Sequence, residues 1–371
     1  MYDIVIVGAG PAGATLARLL GKKLNILIID KRQLLDMNST CNSEKSCGGL
    51  IAPDAQKMLA KFGLGIPQEI LVGPQLFTVR TIDIQNNIEQ YYQRHYINVN
   101  REKFDKWLVS LIPPEVTAMF GAVLKSFEKV NDTIKVQYTQ QGKERTIYTK
   151  LLVGADGAFS TVRRKLSLDS PTPKTYITIQ EYYKMDSSLP YFSSIFDEDI
   201  TDFYSWTIPK DDLLILGTAV MPKDQPYEKF KMLKKKLISR GFEFGPCVKR
   251  TGSYLLRPEK LEQIYLGNEN VALIGEAAGW ISPSSAEGLS YSFRSAYALA
   301  NAIQRRPDHI IAEYDKNTYK LRVNIKLKQL KSPFMYNTFL RKIAMKSGLL
   351  SMNIDHGKQQ NSAEPLGKSI F

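Results

Sequence analysis

Near its start the chain carries an almost wholly apolar run, residues 4–7 of "YDIVIVGAG", and then changes period. From residue 12 to 20 apolar positions recur at helical spacing, and residues 24–29 form a second apolar run. A strand covered on both faces reads as a short continuous apolar run, and a packed helix as a 3.6-residue stripe. "YDIVIVGAGPAGATLARLLGKKLNILIID" therefore predicts strand, glycine turn, helix and strand, a complete βαβ unit. Between residues 78 and 98 the composition turns to Ile, Val and Tyr, with alternation such as "TVRTIDI" that predicts antiparallel strands. "VNREKFDKWLVSLIP" predicts a helix ending before Pro113, and residues 123–148 a hairpin with strands near 125–128 and 134–138. "KLLVGADGAFSTVRRKL" repeats the order of apolar strand, glycine turn and helix. From about 170 to 257 further aromatic-rich strands surround a basic helix at 227–240. "NVALIGEAAGWISPSSAEGLSYSFRSAYALANAI" is again strand, loop and helix, and the remainder is basic and helical up to a polar tail after Asn353, expected to fray.

That order predicts an α/β protein with a discontinuous Rossmann-like dinucleotide domain, residues 1–75, 100–168 and 262–310. A mixed or antiparallel β-sheet substrate domain, 76–99 and 169–261, interrupts it, and a basic helical region, 311–371, follows. A length of 371 residues suits two joined units. No apolar run approaches the ~20 residues needed to span a bilayer, and "MYDIVIVGAG" has neither a basic leader nor a small-residue cleavage site, so no signal peptide is expected. Three cysteines, Cys41, Cys47 and Cys247, are too few for a disulfide framework and suit a reducing cytoplasm. His95, His309 and His356 lie far apart with no CxxC or HxxxH pairing, so no metal site is expected.

The formal charge of +13 is uneven, for residues 316–346 hold nine basic residues and no acidic one. Such a surplus attracts nucleic acid, anionic lipid or a phosphorylated substrate, or simply makes a solvated helix face. No nucleic-acid recognition motif accompanies it. Peripheral contact with the inner face of an anionic membrane is one use open to residues 316–346, beside a diphosphate head group or a solvated face, and nucleic acid is not expected as a partner.

Chemistry enters with Gly8-Ala9-Gly10-Pro11-Ala12-Gly13, a GxGxxG turn. Gly8 permits the turn, Gly10 lets a pyrophosphate approach the backbone, and Gly13 lets the helix pack on the strand. The pyrophosphate then meets the positive helix N-terminus, while Asp30, ending the next strand, accepts from ribose hydroxyls. Which dinucleotide binds stays open on these grounds, since Lys31 and Arg32 could serve a 2′-phosphate.

Two later segments, "VGADGAFSTVRR" with Asp156-Gly157 and "ALIGEAAGWISP" with Gly275-Glu276, could each be a strand-ending turn. Taken in order with the N-terminal fingerprint, they resemble the three FAD signatures of the para-hydroxybenzoate hydroxylase-like flavoproteins, over residues 1–310. The resemblance implies FAD as cofactor, with Asp156 and Gly157 near its pyrophosphate. It also implies that Glu276, where the family usually has Asp, holds the ribityl or ribose region. The helix starting at Gly288 and Leu289 would then point its N-terminus at the flavin N1–C2=O edge, favouring the anionic reduced form. Arg101 in "VNREKFD" matches a position near the flavin and pyrophosphate, against the alternative of an exposed helix-surface Arg, and Val123 falls where the family's backbone holds the adenine.

"FYSWTIP" further resembles the YxWxFP element of geranylgeranyl reductases, with Tyr204, Trp206 and Pro209 matching and Ile208 in place of Phe. It is also similar to the WxWxIP element of flavin-dependent halogenases, whose first Trp is here Tyr204. "CGGLIAPDAQ" resembles the Cys-Gly-Gly segment of the same reductases. That likeness implies Cys47, Gly48 and Gly49 against the isoalloxazine ring, and Tyr204, Trp206 and Pro209 lining a substrate cavity. An aromatic pair two apart on a strand is also an ordinary core feature. Cys47, Tyr204 or an ordered water are the candidate proton donors.

The function so implied is reduction of a C=C bond in an isoprenoid or other apolar lipid by an FAD-dependent oxidoreductase. The alternatives are an NAD(P)H- and O2-dependent monooxygenase acting on an aromatic substrate, and a non-catalytic flavin-bearing envelope-stress protein. No second dinucleotide fingerprint is visible, so NAD(P)H is expected to dock transiently or another donor to supply electrons.

Overall fold

A computed structural model describes residues 1–34, 46–166, 171–185 and 189–354; Cys41 and the tail from 355 onward lie outside the described residues. The apolar runs at the start become Tyr2–Val7 and Ile26–Asp30, paired in parallel with Val7 opposite Ile29. Helix Pro11–Leu20 joins them. On its other side Tyr2–Val7 pairs in parallel with the end of Lys143–Gly154, which in turn pairs with Val271–Leu273, while Ile26–Asp30 pairs with Thr117–Phe120. Val7, Asp30, Gly154 and Leu273 thus close the carboxyl ends of neighbouring parallel strands, the edge at which open α/β sheets bind ligands.

The hairpin expected at 123–148 is a three-stranded meander, Ala122–Val130, Thr133–Gln140 and the first half of Lys143–Gly154. The third strand does not stop at Tyr148. Thr149 is in register with both Ile134 of the meander and Tyr2 of the parallel sheet, so one strand serves both. Its burial changes accordingly, from mostly exposed residues before Thr149 to buried ones from Leu151 to Gly154.

The second sheet runs in the order Cys247–Arg257, Lys174–Lys184, Leu213–Val220, Ser205–Lys210, Tyr191–Phe196, Leu76–Asp83, Ile88–Asn98, Ser351–Met352. Its neighbours are antiparallel except Tyr191–Phe196 and Leu76–Asp83, which are parallel. One apolar cluster packs it against helix Pro226–Ile238 through Phe230, Leu233 and Leu237. A separate cluster gathers Tyr176, Phe203, Trp206 and Ile208, with Tyr96, Tyr204 and Tyr336 against it. The basic C-terminal region forms helices Ile310–Asn317, Tyr319–Tyr336 and Thr338–Lys346. Arg341 anchors the last of these, donating from Nε to Asp83 Oδ2 at 2.7 Å with both side chains buried. Among the described residues no helix is long and apolar enough to cross a membrane.

Candidate functional site

The first glycine turn is shaped by contacts within the chain. Gly8 has φ +105°, and a Cβ there would lie 2.4 Å from the Ala155 carbonyl oxygen; one on Gly13 would lie 1.9 Å from the Gly8 oxygen. These two are glycine because turn, helix and the Ala155–Asp156 backbone touch. Gly10 differs. A Cβ there would meet only Arg32 Nη2, at 3.9 Å, so the space before it is left open. Gly10 is also the extended N-cap of helix Pro11–Leu20, no side chain caps that end, and Pro11 stands at the first helical position. Uncapped N–H groups and a positive dipole end beside a space that a side chain would fill are what a dinucleotide pyrophosphate requires. The residues fit the group.

Asp30 and Arg32 lie at the rim of this turn. Asp30 accepts from Ala9 N–H at 2.7 Å, and from Arg32 through its backbone N–H at 2.8 Å and its guanidinium at 3.0 and 3.1 Å. Arg32 also reaches Asp105 at 3.1 Å, Asp105 accepts from Arg101 Nε at 2.8 Å, and Arg101 Nη1 donates to Cys47 Sγ at 2.9 Å. A continuous polar chain thus runs from the glycine turn to the Cys-Gly-Gly loop. Arg101 is buried as the first residue of helix Arg101–Ser110, which removes the exposed-surface alternative. Burial works against ionising Asp105, but the guanidinium groups of Arg101 and Arg32 override it and hold its carboxyl below the usual range. Burial likewise opposes charge on the two arginines, and their carboxylate partners raise both above the ordinary value. Asp105, Arg101 and Arg32 therefore all remain charged, as a buried network must if it is fully paired.

The glycines after Cys47 have a reason inside the chain. A Cβ on Gly48 would sit 2.2 Å from Ile208 Cδ1. One on Gly49, at φ +60°, would sit 2.4 Å from the Val99 oxygen and 2.8 Å from Lys210 Nζ. Lys210 donates to the Val99 oxygen at 2.7 Å, to the Gly49 oxygen at 3.2 Å and to Asn98 Oδ1. Where the sequence suggests close approach to a cofactor, the contacts show the loop clasped onto strand Ser205–Lys210.

Tyr204, just before that strand, donates from its hydroxyl to the Ser285 oxygen at 2.8 Å and packs on Phe203 and Trp206, with ring centroids 4.9 and 5.6 Å away. Burial, and then Tyr96 and Cys47 nearby, push its phenol well above the usual value, so it keeps its proton. Trp206 is buried with its indole over Gly217, where a Cβ would come within 2.3 Å, and its Nε1 has no hydrogen-bond partner among the described residues. Pro209 is buried too, its carbonyl accepting from Asn98 at 2.9 Å. Trp206 and Pro209 thus belong to the packed body of the sheet, and Tyr204 is the member of the expected trio that stays partly exposed.

The later signatures are also turned partly inward. Asp156 accepts from Ser160 Oγ at 2.5 Å and from the Thr161 and Val162 N–H groups at 2.7 and 3.2 Å, capping helix Thr161–Leu166. Its burial pushes the carboxyl up while these donors oppose the shift. The Asp156 turn thus ends one strand and caps the helix that follows. Gly157, at φ +78°, faces open space, for a Cβ there would meet nothing within 4 Å. Gly275, at φ +58°, lies against Ala12, and buried Glu276 accepts from the Leu256 N–H of the second sheet at 3.1 Å. Gly288 caps helix Leu289–Arg305, whose first turn is held by Glu287 through the Ser290 N–H at 2.7 Å. Lys31 and Val123 are exposed.

Sequence reading missed Asp105, Lys210 and Arg257. Arg257 donates to the Pro283 oxygen at 3.1 Å and stacks over Phe203 and Tyr336, fastening the loop before Gly288 to the aromatic cluster. Lys210 and Arg257 had no local signal, because their partners lie tens to over a hundred residues away, and although Arg101 stands four positions before Asp105, the link from Asp105 to Arg32 spans 73.

An open parallel sheet whose first turn leaves an uncapped helix N-terminus beside open space for a pyrophosphate, joined to a second, mainly antiparallel sheet, is the arrangement of a dinucleotide-binding protein. The model of the FAD binding domain family matches residues 1–225, and the chain belongs to that family; its cofactor is FAD. It is 40% identical over 348 residues to Protein CbrA of Escherichia coli O157:H7, a match spanning 94% of this chain and 97% of the relative. In structure it is similar to a geranylgeranyl bacteriochlorophyll reductase-like protein from Thermoplasma acidophilum, with TM-score 0.79 and 18% identity, over 92% of this chain and 90% of that one. PqsL of P. aeruginosa shares the fold at TM-score 0.70 and 16% identity, over 94% and 99% of the two chains. These structural neighbours show the fold that the chain shares with them.

Proposed function

We propose that the protein reduces a C=C bond of an isoprenoid or similarly apolar lipid. Bound FAD supplies the hydride, and NAD(P)H docking transiently supplies its electrons. An isolated alkene is a poor hydride acceptor, so this chain's task is to hold it in place and keep water away. The observation carrying the reading is the position of Tyr204. Its ring stands in the aromatic cluster with Phe203 and Trp206, its hydroxyl bonds Ser285 in the loop before Gly288, and Ile208 of the same cluster packs against Gly48 of the Cys-Gly-Gly loop. An apolar wall is thereby fastened to both loops that the sequence associates with the flavin. Likeness to the reductase-like protein from Thermoplasma acidophilum supports the same direction.

In this reading Arg101 fixes the Cys47 side chain, Lys210 clasps the loop, and Tyr204 keeps its proton as a donor aimed at Ser285. The alkene's proton comes from Cys47, from Tyr204 once that bond is released, or from water at the cluster's edge. The test is anaerobic. Reduced protein is mixed with polyprenyl phosphates or geranylgeranyl lipids, flavin reoxidation is followed, and the product is weighed by mass spectrometry. A gain of two hydrogens matched to reoxidation supports the reading. Failure of every lipid to reoxidise the flavin, with NAD(P)H oxidation instead stimulated by a phenol and consuming O2, replaces it by a monooxygenase.

A further inference from the structure

Helix Tyr319–Tyr336 carries apolar residues on two opposite faces. Leu321 and Ile325 face the protein and are buried. Tyr319, Val323, Leu327, Leu330 and Phe334, spaced by four, four, three and four residues, form a second stripe that is 41% to 69% exposed. Phe339 and Ile343 on the next helix are exposed at 68% and 53%. Single exposed apolar residues are ordinary, but a run of them along one helix face marks a contact surface.

The charge around the stripe says what covers it. Residues 316–346 contain no acidic side chain. Of their nine cations, Arg322 and Arg341 are engaged by Asp315 and Asp83, and Lys328 lies over the Tyr291 ring. The other six, Lys316, Lys320, Lys326, Lys331, Lys342 and Lys346, are exposed, and among the described residues none is in an ion pair. A second copy of this chain would set these six lysines against six more. A nucleic acid would use the lysines and leave the apolar stripe in water. We infer that this face docks on an anionic lipid bilayer surface, the lysines meeting the headgroups and the apolar stripe entering the headgroup–acyl boundary. The inference goes beyond the reaction proposed above and does not depend on it, since docking is read without turnover.

The test uses the full-chain holoprotein in co-sedimentation with vesicles of phosphatidylcholine alone or mixed with phosphatidylglycerol. The expected result is binding to the mixed vesicles, weakened by salt. Leu327→Asp with Leu330→Asp should lower the partition coefficient by about tenfold or more, and Lys326→Glu with Lys331→Glu by a similar factor. FAD content and melting temperature should stay at wild-type values, because these side chains are exposed. Equal binding to neutral and anionic vesicles, no change on either double substitution, or a dimer that Leu327→Asp with Leu330→Asp dissociates would each overturn the inference.

Discussion

Replacing Gly48 by alanine separates two reasons for a glycine beside Cys47. The added methyl would lie 2.2 Å from Ile208 Cδ1, with the next atom, Ile208 Cγ1, at 3.8 Å. Carbon atoms rest at about 3.5–4.0 Å, so one contact is more than 1 Å too short and everything else is tolerable. Overpacking of this kind costs roughly 1–3 kcal/mol. Ile208→Val deletes the offending Cδ1 and alone costs about 0.5–1.5 kcal/mol as a small cavity. In the Ile208→Val background, Gly48→Ala should therefore cost well under about 1 kcal/mol, giving a double-mutant coupling of about 1–2 kcal/mol. Urea unfolding of the four proteins, with unchanged m-values, measures it. Additive costs with no coupling would refute the assignment of Gly48 to Ile208 packing. FAD content, read separately, addresses the other reason: stability restored without flavin retention would mean that the backbone also needs the space for its cofactor.

Gly10→Val should keep the fold, because the site is extended and open to the protein, but abolish FAD retention; normal flavin absorbance after purification would refute the phosphate cradle. Tyr204→Phe should retain FAD, lose the bond to Ser285 at a cost of about 0.5–1.5 kcal/mol, and alter turnover with a lipid acceptor, whereas unchanged kinetics would leave Tyr204 a packing residue. Arg341→Met strands buried Asp83 and should cost roughly 3–5 kcal/mol at neutral pH. Burial opposes ionisation of Asp83, but Arg341 and Asn86 override it and depress its pKa. The pair's contribution is thus complete above the ordinary carboxylate value of about 3.9 and fades as pH falls toward the depressed one. The deficit of Arg341→Met should shrink on acidification below about pH 4; a deficit constant with pH would exclude the ion pair as its source.

What the sequence made legible was local. The βαβ unit could be read because period, glycine spacing and Asp30 all fall within thirty residues. Helices Arg101–Ser110 and Pro226–Ile238 were each read from their own residues, the first with Pro113 as its stop. The meander was read one strand short, because Lys143–Gly154 changes from exposed to buried midway and resembles two segments. The polar chain from Asp30 to Cys47 was not legible, since Arg32 and Asp105 are 73 positions apart and Arg101 and Cys47 are 54 apart. Asp156 shows a different limit: its motif was visible, but not that the carboxylate would be taken up by the helix it caps. On helix Tyr319–Tyr336 both apolar stripes were present in the sequence, yet only the packed structure distinguishes the covered one from the free one.

The pairing of Val271–Leu273 with the end of Lys143–Gly154 has a consequence during synthesis. Leu152, Val153 and Gly154 leave the ribosome about 120 residues before the strand that completes their hydrogen bonds. At about 5–20 residues per second, the nascent chain carries that open, apolar edge for some 6–24 seconds while the intervening sheet is still being made. Unpaired apolar edges are where partly made chains stick to one another. Chaperone dependence of this protein should therefore centre on the interval between emergence of Gly154 and emergence of Leu273, and slow codons within that stretch should lower its soluble yield more than slow codons placed after it.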